Sequence, residues 1–333
     1  MTSAANGLPR TLADDLRQRS DGDLEVLFRH RPDLLAPVPA DMTALVARAG
    51  TRLSLIRALD RLDRFTLQVL DALTFAADPV DPAELQRLVP APADDLAGAV
   101  RTLQEHALVW GPPDALHVVR AVREVIGTTP GGTGPVLATA LAGCPPGRLQ
   151  HLLGELGLPG TADPPSALAR LRDTLGDPES LTRLLATAPP GANDLLDKVD
   201  AVGNGRVSRT DRVPSGHEPG TVLEWLLARG VLVALDAETV VLPAEVAVAR
   251  RGGALYPRPQ VTAPPGEVIA VGVPAVEAAG VGQVMTTVRL VEQVLAAWSA
   301  DPPPVLRSGG GLGVRELRRA QLLLDVDPVQ AAL

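Results

Sequence analysis

Apolar residues in the first half of this chain recur mainly at spacings of three and four, the period of helices that bury one face. Ser20-Asp21-Gly22-Asp23 places a carboxylate three positions after a hydroxyl, which predicts a capping box, and Leu24, Leu27 and Phe28 follow on one face. Arg31-Pro32 ends that helix, because the residue before a proline is pushed out of the α region. Asp41 is the expected cap of a further helix carrying Leu45 and Val46, beyond the stiff Ala36-Pro37-Val38-Pro39 connector. From Arg52 to about Phe75, Leu55, Leu59, Leu62, Val69, Leu70 and Leu73 predict one long helix. Arg57, Arg61 and Arg64 line another side of it; a solvated face paired by Asp60 and Asp63 is the plainer reading, and a phosphate contact the alternative.

The pattern then shortens and changes period. Asp81-Pro82 marks the cap and first residue of a short helix to Val89, and Pro90-Ala91-Pro92 precedes another from Ala93 to about His106, with Leu96, Val100 and Leu103 inward and Arg101 and Gln104 outward. Leu108-Val109-Trp110 and Leu116-His117-Val118-Val119, separated by a Gly111-Pro112-Pro113-Asp114 turn, read as a β-hairpin. Long helix, short helix, second helix and hairpin is the order of a winged helix-turn-helix.

That pattern recurs. A shift of 124 positions lays Leu103 on Leu227, Leu108-Val109 on Leu232-Val233, Asp114 on Glu238, Val118 on Leu242 and Val122 on Val246. The second copy has a helix ending at Gly230, a strand Val231 to Leu235, a turn at Asp236-Ala237-Glu238-Thr239 and a strand Val240 to Leu242. We therefore expect a mainly α protein with short β-hairpins: tandem winged helix-turn-helix units joined by helical segments. Its divisions are an N-terminal helical segment (1–50), a first winged helix (51–128), a helical connector (129–190), a second winged helix (191–252), a Pro-rich linker (253–273) and the start of an incomplete third winged helix (274–333). The last division carries Val284, Val288, Val291, Leu295 and Trp298 on one helix, Val305-Leu306-Arg307 as a strand, a Ser308 to Gly313 turn and a helix from Val314 to Leu324. A winged helix stopped there cannot close its core, so the natural protein is expected to continue.

Composition narrows the chemistry. The 333 residues carry a formal net charge of −8, which argues against coating nucleic acid by bulk charge. Lys198 is the only lysine and is followed by Val199, so the chain has no Walker A loop. The single Cys144 excludes a disulfide framework and fits a reducing compartment, and the chain is read as cytoplasmic, with no leader and no membrane span. His30, His106, His117, His151 and His217 are scattered without metal-ligand spacing. The glycines of Gly309 to Gly313 lack the spacing and strand context of a phosphate loop. No catalytic residue, cofactor or metal is expected.

Nucleic-acid contact is the function with residue support. The helix that would enter the major groove opens with Asp94-Asp95, which suits its dipole and repels phosphate, so the first unit leans towards protein contact. Better basic candidates are Arg206, Arg209 and Arg212 in a Gly/Ser-rich loop, and Arg307, Arg315, Arg318 and Arg319 around the final helix.

Several runs carry a family resemblance. Asp60-Arg61-Leu62-Asp63, Phe65-Thr66-Leu67-Gln68-Val69-Leu70 and Ala107-Leu108-Val109-Trp110-Gly111 resemble the N-terminal region of actinobacterial helicase-associated proteins with an XPB-like helicase domain. So do Glu224-Trp225-Leu226-Leu227-Ala228-Arg229-Gly230, Pro303-Pro304-Val305-Leu306-Arg307 and Gly313-Val314-Arg315-Glu316-Leu317-Arg318-Arg319. The resemblance implies a DNA-repair or DNA-transaction setting, with helicase (hydrolase) activity a property of longer relatives; this chain has neither a Walker A loop nor an acidic helicase box. The expected function is a non-catalytic, helicase-associated module that binds duplex DNA or assembles with DNA-processing proteins. The alternatives are a protein-interaction scaffold without nucleic-acid binding, or part of an ATP-dependent XPB-like helicase.

Overall fold

The structure is a computed structural model that describes residues 9–161, 163–202, 205–206, 219–262, 272–305 and 312–324. It is mainly helical with two small antiparallel hairpins. The chain forms two compact units, residues 1–263 and 264–333.

The first unit opens with α1 (Leu12–Gln18), α2 (Asp21–His30), α3 (Met42–Ala49) and α4 (Arg52–Leu59). Ser20 and Asp23 form the expected capping box, and Asp41 caps α3 through Ala44 N. Leu16, Leu27, Leu34, Leu45 and Ala49 gather into a small core of their own, closed by Ala107. The single helix expected from Arg52 to Phe75 is instead two, α4 and α5 (Arg64–Phe75). Asp63 accepts from Thr66 N at 2.7 Å and starts the second, a cap that contributes about 1 kcal/mol. The apolar stripe continues across the break, which is why periodicity alone hid it.

Then come α6 (Pro82–Leu88), capped by Asp81 with Pro82 at its first position, α7 (Ala93–Glu105), β1 (Val109–Trp110), β2 (His117–Val118) and α8 (Arg120–Ile126). Val109 pairs with Val118 and Trp110 with His117, while Val80, between α5 and α6, pairs with Leu116 on the other side of β2. The main core lies beneath, from Phe65, Val69, Leu73, Leu88, Leu103 and their neighbours.

The same order follows again. Helices α9 (Leu137–Ala140), α10 (Pro146–Glu155), α11 (Pro164–Leu175) and α12 (Pro178–Leu185) stand where α1 to α4 stood. After them come α13 (Ala192–Val202), β3 (Gly205–Arg206), α14 (Val222–Ala228), β4 (Val233–Ala234), β5 (Thr239–Val241) and α15 (Ala244–Arg250). Helix α15 begins at 244 and α8 at 120, a separation of 124; β4 and β1 begin at 233 and 109, again 124 apart. The strand order β3-β5-β4 repeats Val80-β2-β1. Leu24, Leu27 and Phe28 of α2 reappear as Leu149, Leu152 and Leu153 of α10. The duplication therefore extends from the hairpins through the helical spans before them, and the position matching α6 falls outside the described residues.

The halves are joined by polar ties that pattern reading does not see. Asp71 on α5 accepts from Gly131 N and from the Tyr256 hydroxyl, each at 2.6 Å, and burial raises its carboxyl pKa. Residues beyond α15 lie along α5 and α6: Leu255 N and Tyr256 N donate to Leu88 O, and Gln260 N donates to Gln68 Oε1. Backbone crowding demands glycine at 134, where an added Cβ would stand 2.1 Å from Leu242 O.

The second unit holds α16 (Val273–Ala300) and α17 (Val314–Leu324), with an isolated bridge between Val305 and Leu312. Val284, Val288, Val291 and Leu295 on α16 are exposed.

Candidate nucleic-acid interface

Helix α7 is the helix that the winged-helix expectation places in a major groove. Leu96, Ala99 and Leu103 face the core. At its C-terminal end the opposite side is covered by the chain's own first helices. Arg19 Nη2 donates to Gln104 O at 2.7 Å, the His30 and His106 rings stack with centroids 4.5 Å apart, and His30 Nε2 lies 3.5 Å from Glu105 Oε2. Arg31, wholly buried, donates to His106 O at 3.1 Å, Ala49 O at 2.9 Å and Ser54 Oγ at 2.6 Å. Burial lowers the pKa of Arg31, opposed by Asp33, and burial also lowers that of His106. Gln104 does not reach outward as the helical period suggests: its Nε2 donates to Gly111 O on the hairpin. What remains open on α7 is the face that carries Asp94, Ala97 and Arg101, all exposed.

Helix α14 is covered further. Trp225, Leu226, Leu227 and Ala228 are all buried, and no Arg, Lys, Asn or Gln occurs between Val222 and Ala228. Arg229, just beyond it, lies over the Trp225 ring at 4.4 Å and pairs with Glu155 of α10 at 3.1 Å. Arg148, also of α10, donates to Leu227 O at 2.8 Å. In both halves, then, the preceding helical segment is tied to the end of the helix that the winged-helix expectation assigns to DNA.

The basic candidates divide. Arg209, Arg212 and Arg307 lie outside the described residues; Arg206 is placed on β3 by its backbone, and its side chain is outside the described set. Arg315, Arg318 and Arg319 are exposed on α17. Arg319 is tied to Asp301 at 2.7 Å, whereas Arg315 and Arg318 make no ion pair among the described residues. The row expected from Arg57, Arg61 and Arg64 is split by the α4–α5 break. All three are exposed, and the acids expected to pair them do not: Asp63 is occupied as a cap, and Arg61 instead donates to His30 O.

Among the described residues, Cys144 and the histidines are not arranged as a reaction centre. Burial raises the pKa of Cys144, against the pull of Arg148, so its thiolate is disfavoured. His117 Nδ1 sits 2.5 Å from Asp78, which also meets Arg123, but no nucleophile adjoins them among the described contacts. Among the described residues no group of three His, Cys, Asp or Glu is placed to hold a metal, and no helix is long and apolar enough to cross a membrane. No protein-family model, curated protein or solved structure matches the chain.

Proposed function

We propose that the chain is a non-catalytic assembly module made of two tandem winged-helix units, each carrying a helical cover, that docks proteins instead of reading duplex DNA. The order of helices, hairpin and third strand in the first half supports the winged-helix reading, and the described elements of the second half repeat it. The observation that carries the function is the covering of α7 and α14. A helix reads a major groove with exposed Arg, Lys, Asn or Gln side chains; α14 has none, and α7 offers only Arg101 while opening on Asp94-Asp95. The likeness of the sequence to helicase-associated proteins supports partners among DNA-processing proteins, and any ATP-dependent unwinding would belong to such a partner or to further chain.

One observation favours a second reading, in which α17 touches the DNA backbone: Arg315 and Arg318 are exposed and lack ion pairs among the described residues. Titrating labelled duplex with the protein at low and physiological salt separates the two. Assembly without DNA contact gives no saturable binding at either salt; backbone binding gives affinity that falls steeply with salt and weakens in the combined Arg315→Ala, Arg318→Ala variant.

A further inference from the structure

The two halves differ most where their covers meet their hairpins. In the first half the cleft between α1, α2 and the end of α7 is lined by charge: Asp15, Arg19, Asp23, Arg101 and Glu105. Arg19 and Asp15, four residues apart at the end of α1, pair along one wall at 3.0 Å, and Gln104 Nε2 donates to Gly111 O beside the hairpin. In the second half residue 228, 124 positions after Gln104, is alanine and caps nothing. The second half holds a cleft of about 510 Å³ beside β4, lined by Ala140, Leu141, Cys144, Leu227, Leu232 and Leu235, with Arg148 its charged side chain.

One wall of this cleft is a sheet edge with no neighbouring strand among the described residues. Among the described residues strand β4 pairs only with β5, at Val233–Val241 and Ala234–Val240. Leu235 N donates to Thr239 O at 2.9 Å, so residues 235 and 239 form a hydrogen-bonded pair. Such pairs alternate along an antiparallel ladder. The N–H and C=O of Ala234 therefore point away from β5, towards the cleft, and Ala234 is exposed. Beside it Leu235 is 51% exposed. An unpaired donor and acceptor on a strand edge, next to apolar surface, is the arrangement that accepts an added strand.

We infer that this cleft binds an extended peptide segment of a partner protein, which adds to β4 through the backbone of Ala234, seats an apolar side chain against Leu227, Leu232 and Leu235, and directs an acidic group to Arg148. The inference rests on the assembly reading above and gives that reading a partner chemistry. An added strand supplies backbone hydrogen bonds whatever its sequence, so specificity falls to the apolar anchor and the acid. The first-half cleft, lined mainly by charged side chains, does not offer the same apolar anchor.

The only cysteine of the chain lines this cleft, so alkylation of Cys144 by iodoacetamide reports on it alone. The probe is an eight-residue peptide alternating valine and threonine and ending in glutamate, used on the full chain. The expected result is saturable slowing of Cys144 alkylation. The same peptide with its alternate amides N-methylated on the edge that faces β4 should bind about tenfold more weakly, the scale of one or two lost backbone hydrogen bonds. Ala234→Pro removes the outward N–H without touching the β5 ladder, a position where edge strands accept proline, and should weaken binding similarly. Leu235→Glu, at an exposed position, serves if that variant does not fold. No protection of Cys144 by the peptide, or protection equal with the N-methylated form, overturns the inference. The assembly reading is decided separately by the duplex titration, which does not depend on this cleft.

Discussion

Glu155 and Arg229 meet at 3.1 Å, joining the end of α10 to the end of α14. The equivalent positions in the first half are His30 and Glu105, again facing each other across a cover helix and the helix it covers, with the acid on the opposite partner. A contact kept while the acid moves to the other partner points to the junction as the feature the duplication preserved. Both members of the second pair are partly shielded from water, so Glu155→Ala should lower stability by about 1 kcal/mol, at the upper end for ion pairs near a surface. Exchanging the two as Glu155→Arg with Arg229→Glu should recover part of that loss. Urea unfolding of the single and double variants measures it; a double variant no better than the sum of its parts would show that the pair does not couple.

The halves should also respond to crowding at their join. Gly134→Ala places a methyl 2.1 Å from Leu242 O, a backbone atom that cannot swing aside. The expected loss is about 1–3 kcal/mol, read as a lower urea midpoint. Unchanged stability would mean that the segment before α9 does not lie against the end of β5.

Acid should loosen the first cover. His106 is buried, and burial lowers its pKa from the ordinary 6.5, with His30 and Arg31 adding repulsion and Glu105 and the Thr102 carbonyl opposing them. A base held neutral in the fold and protonated more readily in the unfolded chain contributes its full stability above pH 6.5. That contribution is lost as pH falls from 6.5 through the lower folded value. The urea midpoint of the wild-type chain should therefore fall more between pH 7.5 and 5.5 than that of His106→Gln. Equal falls would remove His106 from the account.

Much of this fold can be read along the chain, and the failures have physical causes. Caps are local, so Ser20, Asp41 and Asp81 announced their helices. The break at Asp63 was missed because the leucine spacing runs on through it, although an Asp three positions before Thr66 is itself a cap signal. The repeat was legible in the hairpins, where Val and Leu recur in register. It was illegible in α9 to α12, where loop lengths shift the match and small residues such as Ala140 replace Leu16. The covering of α7 and α14 was hidden for a different reason: Arg19 with Gln104 and Arg148 with Leu227 are 85 and 79 positions apart, and each arginine bonds to a carbonyl that any residue would supply.

Duplex binding by the intact chain tests the central claim most directly. Fluorescence anisotropy of a labelled duplex, titrated with protein at about 50 mM and about 200 mM salt, spans a range over which a protein making many phosphate contacts changes affinity by orders of magnitude. The assembly account predicts no saturable rise in anisotropy at either concentration. A saturable rise at low salt that collapses at the higher one would contradict it.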